Sequence, residues 1–169
     1  MSELGTTWRQ ARERQISAMR LSCEILGNIL QIVSADDARS LRDGPDGWSI
    51  IEIVCHLRDF DEIFHSRAMM MLECDHPQLP AYDHEAMAIE RDYQAESLAD
   101  AYGALQASRA RFAAFFEALT PAQWARGGDH PERDSFSMTD ALMQVSAHDL
   151  DHLEQITRVM TQARAELGS

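Results

Sequence analysis

Four long stretches of this chain space their apolar residues three and four apart, and no stretch sustains the two-residue alternation of a half-buried strand. In the first, Ile16, Met19, Cys23, Leu26, Leu30 and Val33 fall on one helical face. The second runs from about Ser49 to Leu72, with Ile50, Ile53, Leu57, Phe60, Phe64, Ala68 and Met71 on one side. The third, Leu98 to Leu119, turns Leu98, Tyr102, Leu105, Phe112, Phe116 and Leu119 inward. The fourth starts near Met138 and continues to about Arg164 through Leu142, Val145, Ile156 and Val159. Four long helices in one chain are expected to bury their stripes against each other, so the fold class is all-α: a four-helix bundle, one domain spanning residues 1–169.

Local chemistry marks the helix ends. Ser49 with Glu52 makes a capping box, and Ser137 with Asp140 a weaker one. Thr120-Pro121 with Gln123 fits a short helical turn. Asp43-Gly44-Pro45-Asp46-Gly47 and Gly127-Gly128-Asp129-His130-Pro131 read as breaks, and Pro77 to Pro80 ends the second helix. A short helix is expected near His84 to Arg91. The link between the second and third long helices, about twenty-five residues, exceeds the usual length between antiparallel neighbours. It is long enough to carry the chain along the bundle and let those two helices run parallel.

Charge removes some functions. Acids outnumber bases 28 to 15, every base is arginine, and the net charge is -13. Such a surface repels nucleic-acid phosphates and anionic membranes. No apolar window approaches the length of a membrane-spanning helix, and Met1 to Arg14 is too polar for a signal peptide. Three cysteines (Cys23, Cys55, Cys74) without a CxxC pair suit a reducing compartment, so a cytoplasmic location is expected. There is no Gly-rich phosphate loop, no GxSxG and no Cys-His nucleophile pair. The paired ExxH motifs of a carboxylate-bridged dimetal bundle are missing as well.

One feature departs from a plain core. On the fourth helix the inward stripe carries His148 and His152, one turn apart, at positions where a bundle wants leucine. Two imidazoles in an apolar core are expensive unless their nitrogens are bonded, and a shared metal ion bonds one nitrogen of each. A third ligand has to come from another helix. His56, at the flank of the buried face of the second helix, suits best. His65, half a turn away from it, is expected in solvent, and His76, His84 and His130 in surface loops, with His130 a candidate for a site entrance. Cys55 reads as core filler. Glu52, Asp59, Asp149 and Asp151 are near enough to orient the imidazoles, although a solvated helix face explains each of them more simply. Trp48 is expected to pack the start of the second helix onto the bundle, and Trp124 to close the other end.

The run Gly47-Trp48-Ser49-Ile50-Ile51-Glu52 with His56-Leu57, followed by His148-Asp149-Leu150-Asp151-His152-Leu153-Glu154-Gln155-Ile156, resembles the DinB/YfiT-like superfamily of proposed metalloenzymes, unrelated to the polymerase sharing the first name. Leu79 to Asp83 and Arg109 extend the match, which covers roughly Ile16 to Val159. The resemblance implies an up-up-down-down bundle, often a homodimer, with a divalent metal held by His56, His148 and His152. Zinc or nickel is the expected ion. Relatives of known activity are thiol transferases using bacillithiol or mycothiol, and a mycothiol-dependent maleylpyruvate isomerase; no motif here assigns a low-molecular-weight thiol. Three imidazoles with an open position make a catalytic rather than a structural site. The expected function is therefore metal-dependent activation of water or a thiol against a small electrophile, by hydrolysis or S-transfer. The alternative is a non-catalytic metal-binding bundle acting in stress response through protein partners.

Overall fold

A computed structural model describes residues 3–167. Helix α1 (Glu3–Leu30) is followed by the short α2 (Ala35–Ser40), α3 (Ile50–Glu73) and the short α4 (His84–Glu90). Then come α5 (Leu98–Ala118), the single turn α6 (Pro121–Trp124), a hairpin of β1 (Gly127–His130) and β2 (Arg133–Ser137), and α7 (Met138–Leu167). The four long helices α1, α3, α5 and α7 form the bundle. Capping boxes mark the starts of α3, α6 and α7: the Ser49 amide donates to Glu52 at 2.8 Å, the Thr120 amide to Gln123 at 2.8 Å and the Ser137 amide to Asp140 at 2.8 Å.

Cross-helix contacts give the direction of each helix. Arg20 pairs with Glu117 while the Tyr102 hydroxyl donates to the Cys23 carbonyl, so α1 and α5 are antiparallel. Arg12 reaches Thr139 and Ser22 reaches Asp149, so α1 and α7 are parallel. Ser108 reaches Asp61 and Arg111 reaches Glu62, while His65 stacks on Phe112, so α3 and α5 are parallel. At one end Asp43, ahead of α3, holds Arg158; at the other, Arg126, ahead of α7, donates to the Met71 carbonyl. Helices α3 and α7 are therefore antiparallel.

In chain order the directions are up, down, down, up, which corrects the up-up-down-down order implied by the resemblance. That order needs two connections that traverse the bundle. Here the segments 31–49 and 119–137 both turn the chain back at the end where it left, and only the link 74–97 traverses. A buried ion cluster pins that link. Asp59 on α3 accepts from the hydroxyl of Tyr93, in a short helical turn of the link, at 2.6 Å and from Arg91 at 2.7 Å.

Two elements lie outside the helical periodicity. Helix α2 is polar and buries only Ala38. The Gly127–Pro131 stretch, read as a break, instead opens a hairpin in which Gly127 pairs with Ser137 and Gly128 with Phe136. Phe136, 2 % exposed, anchors the hairpin to the bundle.

The core is split by a polar layer. On one side lie Met19, Phe64, Phe112 and Val145; on the other Cys23, Leu57, Leu105 and Leu153. Between them the Arg109 guanidinium on α5 donates to Asp61 on α3 at 2.7 Å, to Asp149 on α7 at 2.9 Å and to the Met19 carbonyl on α1 at 2.7 Å. The approach of α1 to α5 above this layer requires glycine at position 27, where a Cβ would sit 2.0 Å from the Tyr102 hydroxyl. Removing the guanidinium leaves two buried carboxylates without a counter-charge. Arg109→Ala is expected to lower unfolding free energy by about 3–5 kcal/mol, read from urea denaturation.

Candidate metal centre

The structure brings His56, His148 and His152 together. One liganding atom from each lies within 4.8 Å of the others, and the Nε2 atoms of His56 and His148 face each other at 2.9 Å. They meet because α3 and α7 run antiparallel beside the polar layer: Asp149 is fixed by Arg109, so its neighbour His148 is carried on a turn that cannot slide. His152 follows one turn later on the same face.

The imidazole of His152 is oriented by an amide. Its Nδ1 lies 2.8 Å from the Gln155 Oε1, an oxygen that only accepts, so Nδ1 carries the proton and Nε2 keeps its lone pair. The Gln155 amide nitrogen donates in turn to Asp43 at 3.0 Å, and Asp43 is clamped by Arg158. Glycine at position 47 keeps Asp43 in place, since a Cβ there would lie 1.9 Å from the Asp43 carbonyl oxygen. His56 is held by packing, with its ring 4.6 Å from that of Trp48 and 4.3 Å from that of Phe60; its Nδ1 is buried without a partner among the described residues. Phe64 packs edge-on against His148 at 5.3 Å. His84, at the start of α4, places its ring 5.7 Å from Trp48 and 5.8 Å from His56, so it borders the centre from the link.

All three imidazoles are neutral at physiological pH. Burial, reinforced by the neighbouring imidazoles, pushes His56 down to about 2 and His148 down to about 3, and burial lowers His152 as well. Neutral, convergent nitrogens with one tautomer fixed from outside are the donor set a borderline divalent ion takes. Among the described residues no carboxylate or fourth side chain joins this set.

The remaining candidates fall elsewhere. Glu52 is occupied by its cap and by Arg42, and Asp59 by Tyr93 and the arginines. Asp149, read as solvent-facing, is 4 % exposed and belongs to Arg109; Asp151 is exposed. The group that orients a candidate ligand is Gln155, whose only sequence signal was its place three residues after His152. Trp48 packs the start of α3 as expected, but its ring also walls the centre. His65 is half-buried rather than exposed, stacked on Phe112 at 4.8 Å, because α5 covers that flank of α3. His130 is not at the entrance of this site; it is buried against Phe136 on the hairpin. Cys55 is core, its thiol pushed up to about 12 by burial. Trp124 closes the far end, stacked on Phe116 and covered by Arg12.

The model of the DinB superfamily matches residues 7–156. This chain belongs to the DinB superfamily. It is 28% identical over 119 residues to YfiT of Bacillus subtilis (strain 168), whose name carries a proposed metal-dependent hydrolase activity; the match covers 70% of this chain and 66% of YfiT, just under two thirds of that relative. The solved structure of Bacillus subtilis YfiT, described as an unusual four-helix bundle topology, superposes with a TM-score of 0.85 at 20% identity, over 96% of this chain and 90% of that one. The solved structure of the mycothiol-dependent maleylpyruvate isomerase superposes with a TM-score of 0.69 at 11% identity, over 83% of this chain and 58% of that one.

The depressed imidazoles give the metal-free protein a pH dependence of definite sign. In the unfolded chain they take up protons near pH 6.5, whereas the folded state holds them neutral. The unfolded state then binds more protons, so stability falls as pH drops below about 6.5, by up to about 1.4 kcal/mol per pH unit for each histidine. In urea titrations between pH 6.5 and 4, His148→Phe is expected to show a slope shallower by one histidine's share.

Proposed function

We propose that this protein is a metal-dependent enzyme that activates water, or a low-molecular-weight thiol, for attack on a small electrophile, as a hydrolase or S-transferase. The observation that carries this reading is the convergence of His56, His148 and His152, with no fourth side chain among the described residues closing the set. A blocked, purely structural site would need such a closure. His56, His148 and His152 would hold the ion, with zinc or nickel the expected metals. When bound, a divalent ion supplies Lewis acidity that lowers the pKa of water or a thiol into the neutral range.

The chain's own residues do the rest. Gln155 holds the His152 tautomer, and Asp43 and Arg158 hold Gln155. Trp48, Phe60 and Phe64 exclude bulk water from one side of the centre. His84, half exposed on the link, borders the side from which a small molecule would approach. The name of YfiT and the activity of the maleylpyruvate isomerase support hydrolysis and thiol chemistry respectively.

A cytoplasmic, homodimeric protein fits two further features. Cys23, Cys55 and Cys74 are all free. Leu21 and Ile25 on α1 and Leu150 on α7 are exposed, and Ile25 and Leu150 line a groove of about 640 Å³ between these parallel helices, which a second copy would cover. No helix among the described residues is long and apolar enough to cross a membrane.

Elemental analysis of protein purified without an affinity tag or chelator is expected to find about one metal per chain, absent from His56→Ala and His148→Ala. Gln155→Ala should keep the metal but weaken its affinity about 10–100-fold. A folded protein without stoichiometric metal would end the enzyme reading. By light scattering, Leu150→Asp should have half the mass of the wild type.

A further inference from the structure

Away from the metal centre, three side-chain donors among the described residues are buried without an acceptor, and two of them, on Arg67 and His130, lie near the same segment of chain, the third being the Nε of Arg12. Arg67, on α3, is 5 % exposed; its guanidinium donates to the Pro80 carbonyl at 2.6 Å, but its Nε is buried without a partner. His130, at the end of β1, is 8 % exposed. Its Nδ1 accepts the Glu132 amide at 3.2 Å, so in the neutral ring the proton is on Nε2, and that Nε2 is also buried and unpartnered.

Backbone pairing brings the two together. The Leu79 amide donates to the Asp129 carbonyl at 2.8 Å and the Asp129 amide to the Pro77 carbonyl at 2.9 Å, with Gln78 and Asp129 forming a parallel bridge. Pro80, which holds Arg67, therefore runs alongside His130. Burial lowers the basicity of His130, the Arg67 guanidinium charge adds to that, and Arg133 adds to the positive field at both groups.

The charge matters more than the missing bonds. Among the described residues Arg67 makes no ion pair with a carboxylate and has only the Tyr82 ring, 5.4 Å from its guanidinium, as a cation–π partner, whereas Arg109, also buried, pairs with Asp61 and Asp149. A buried guanidinium calls for a counter-charge that a water molecule does not supply. Glu132 is within the field of both groups, yet its side chain stays exposed and pairs with neither. Pro131, Glu132 and Arg133 form the turn whose Glu132 amide bonds the His130 ring, and all three are exposed.

We infer that Arg67 and His130 form a binding site for a small oxyanion, a carboxylate or phosphate group, whose oxygens accept from the Arg67 Nε and the His130 Nε2. A charge-assisted bond to the guanidinium supplies the affinity, and the His130 donor fixes the orientation. The site is independent of the metal reading: on α3, Arg67 lies eleven residues beyond His56, about 16 Å along the helix.

Full-length, metal-free protein is titrated with inorganic phosphate and, separately, with acetate, while the His130 ring N–H is followed by NMR. A saturable shift of that signal is expected. Arg67→Gln and His130→Gln should each weaken binding by about tenfold or more, with circular dichroism confirming the fold. Glu132→Gln, a surface change, should tighten binding several-fold by removing the nearby negative charge. His56→Ala should bind as the wild type does, which excludes the anion resting at the metal centre. The inference is overturned by the absence of a saturable shift in the wild type, by unchanged affinity in a folded Arg67→Gln, or by weaker binding in Glu132→Gln, which would make Glu132 a part of the site. Metal content in these variants should stay at the wild-type level, so failure here leaves the enzyme reading standing.

Discussion

The buried guanidinium of Arg109 touches every wall of the bundle: Asp61 on α3, Asp149 on α7, the Met19 carbonyl on α1, and its own helix α5. An internal ion pair of this kind adds little net stability over a well-packed apolar substitute, because desolvation offsets most of the attraction. Its effect lies in what it forbids. Sliding any one helix by a turn would strand a charge in the interior at a penalty of several kcal/mol, whereas an apolar layer would tolerate the slip. The apolar clusters above and below supply bulk burial; the polar layer between them selects one register.

That selection is inherited by the histidines. His148 is bonded in sequence to Asp149, and His152 sits one turn on, so the position of both relative to His56 is settled by a contact neither of them makes. The two sides of the centre are secured differently. On α7 a chain of hydrogen bonds runs from His152 through Gln155 to Asp43 and Arg158, while on α3 His56 is wedged between the Trp48 and Phe60 rings. The neutral state of the three imidazoles follows from the burial that this packing imposes.

Much of this arrangement could be read from the residues. Long apolar stripes announced the four helices and capping pairs placed the starts of α3 and α7, but the first stripe began at Ile16 and missed the polar turns with which α1 starts at Glu3. The histidine trio was legible because two imidazoles replaced leucine on an otherwise apolar stripe, a violation that periodicity exposes. What escaped was everything that depends on which helix faces which. Asp149 and Asp59 looked like surface acids because their partners, Arg109, Tyr93 and Arg91, come from distant segments. His65 looked exposed because spacing along α3 does not reveal that α5 covers a second flank. The direction of the helices turned on which of three links crosses the bundle, and link length alone singled out one of them without excluding the others. The hairpin was invisible because β1, Gly-Gly-Asp-His, has no apolar alternation and is held by pairing with Ser137, Phe136 and residues 77–79.

The single traversing link, 74–97, has a consequence for how such a protein diversifies. The candidate ligands and the groups that orient them belong to α3, α7 and the turn before α3, whereas His84, whose ring borders the centre beside Trp48 and His56, belongs to the link. The link is tied down at one end by Pro77 and Leu79 against Asp129 and by Pro80 on Arg67, and at the other by Tyr93 and Arg91 on Asp59, so the exposed residues 81–85 between them can change while both anchors and all four long helices stay as they are. The ligand frame and the residue at its border thus lie on different segments of one chain, and a change in the exposed stretch between the anchors alters the surroundings of the centre without touching the helices that hold it.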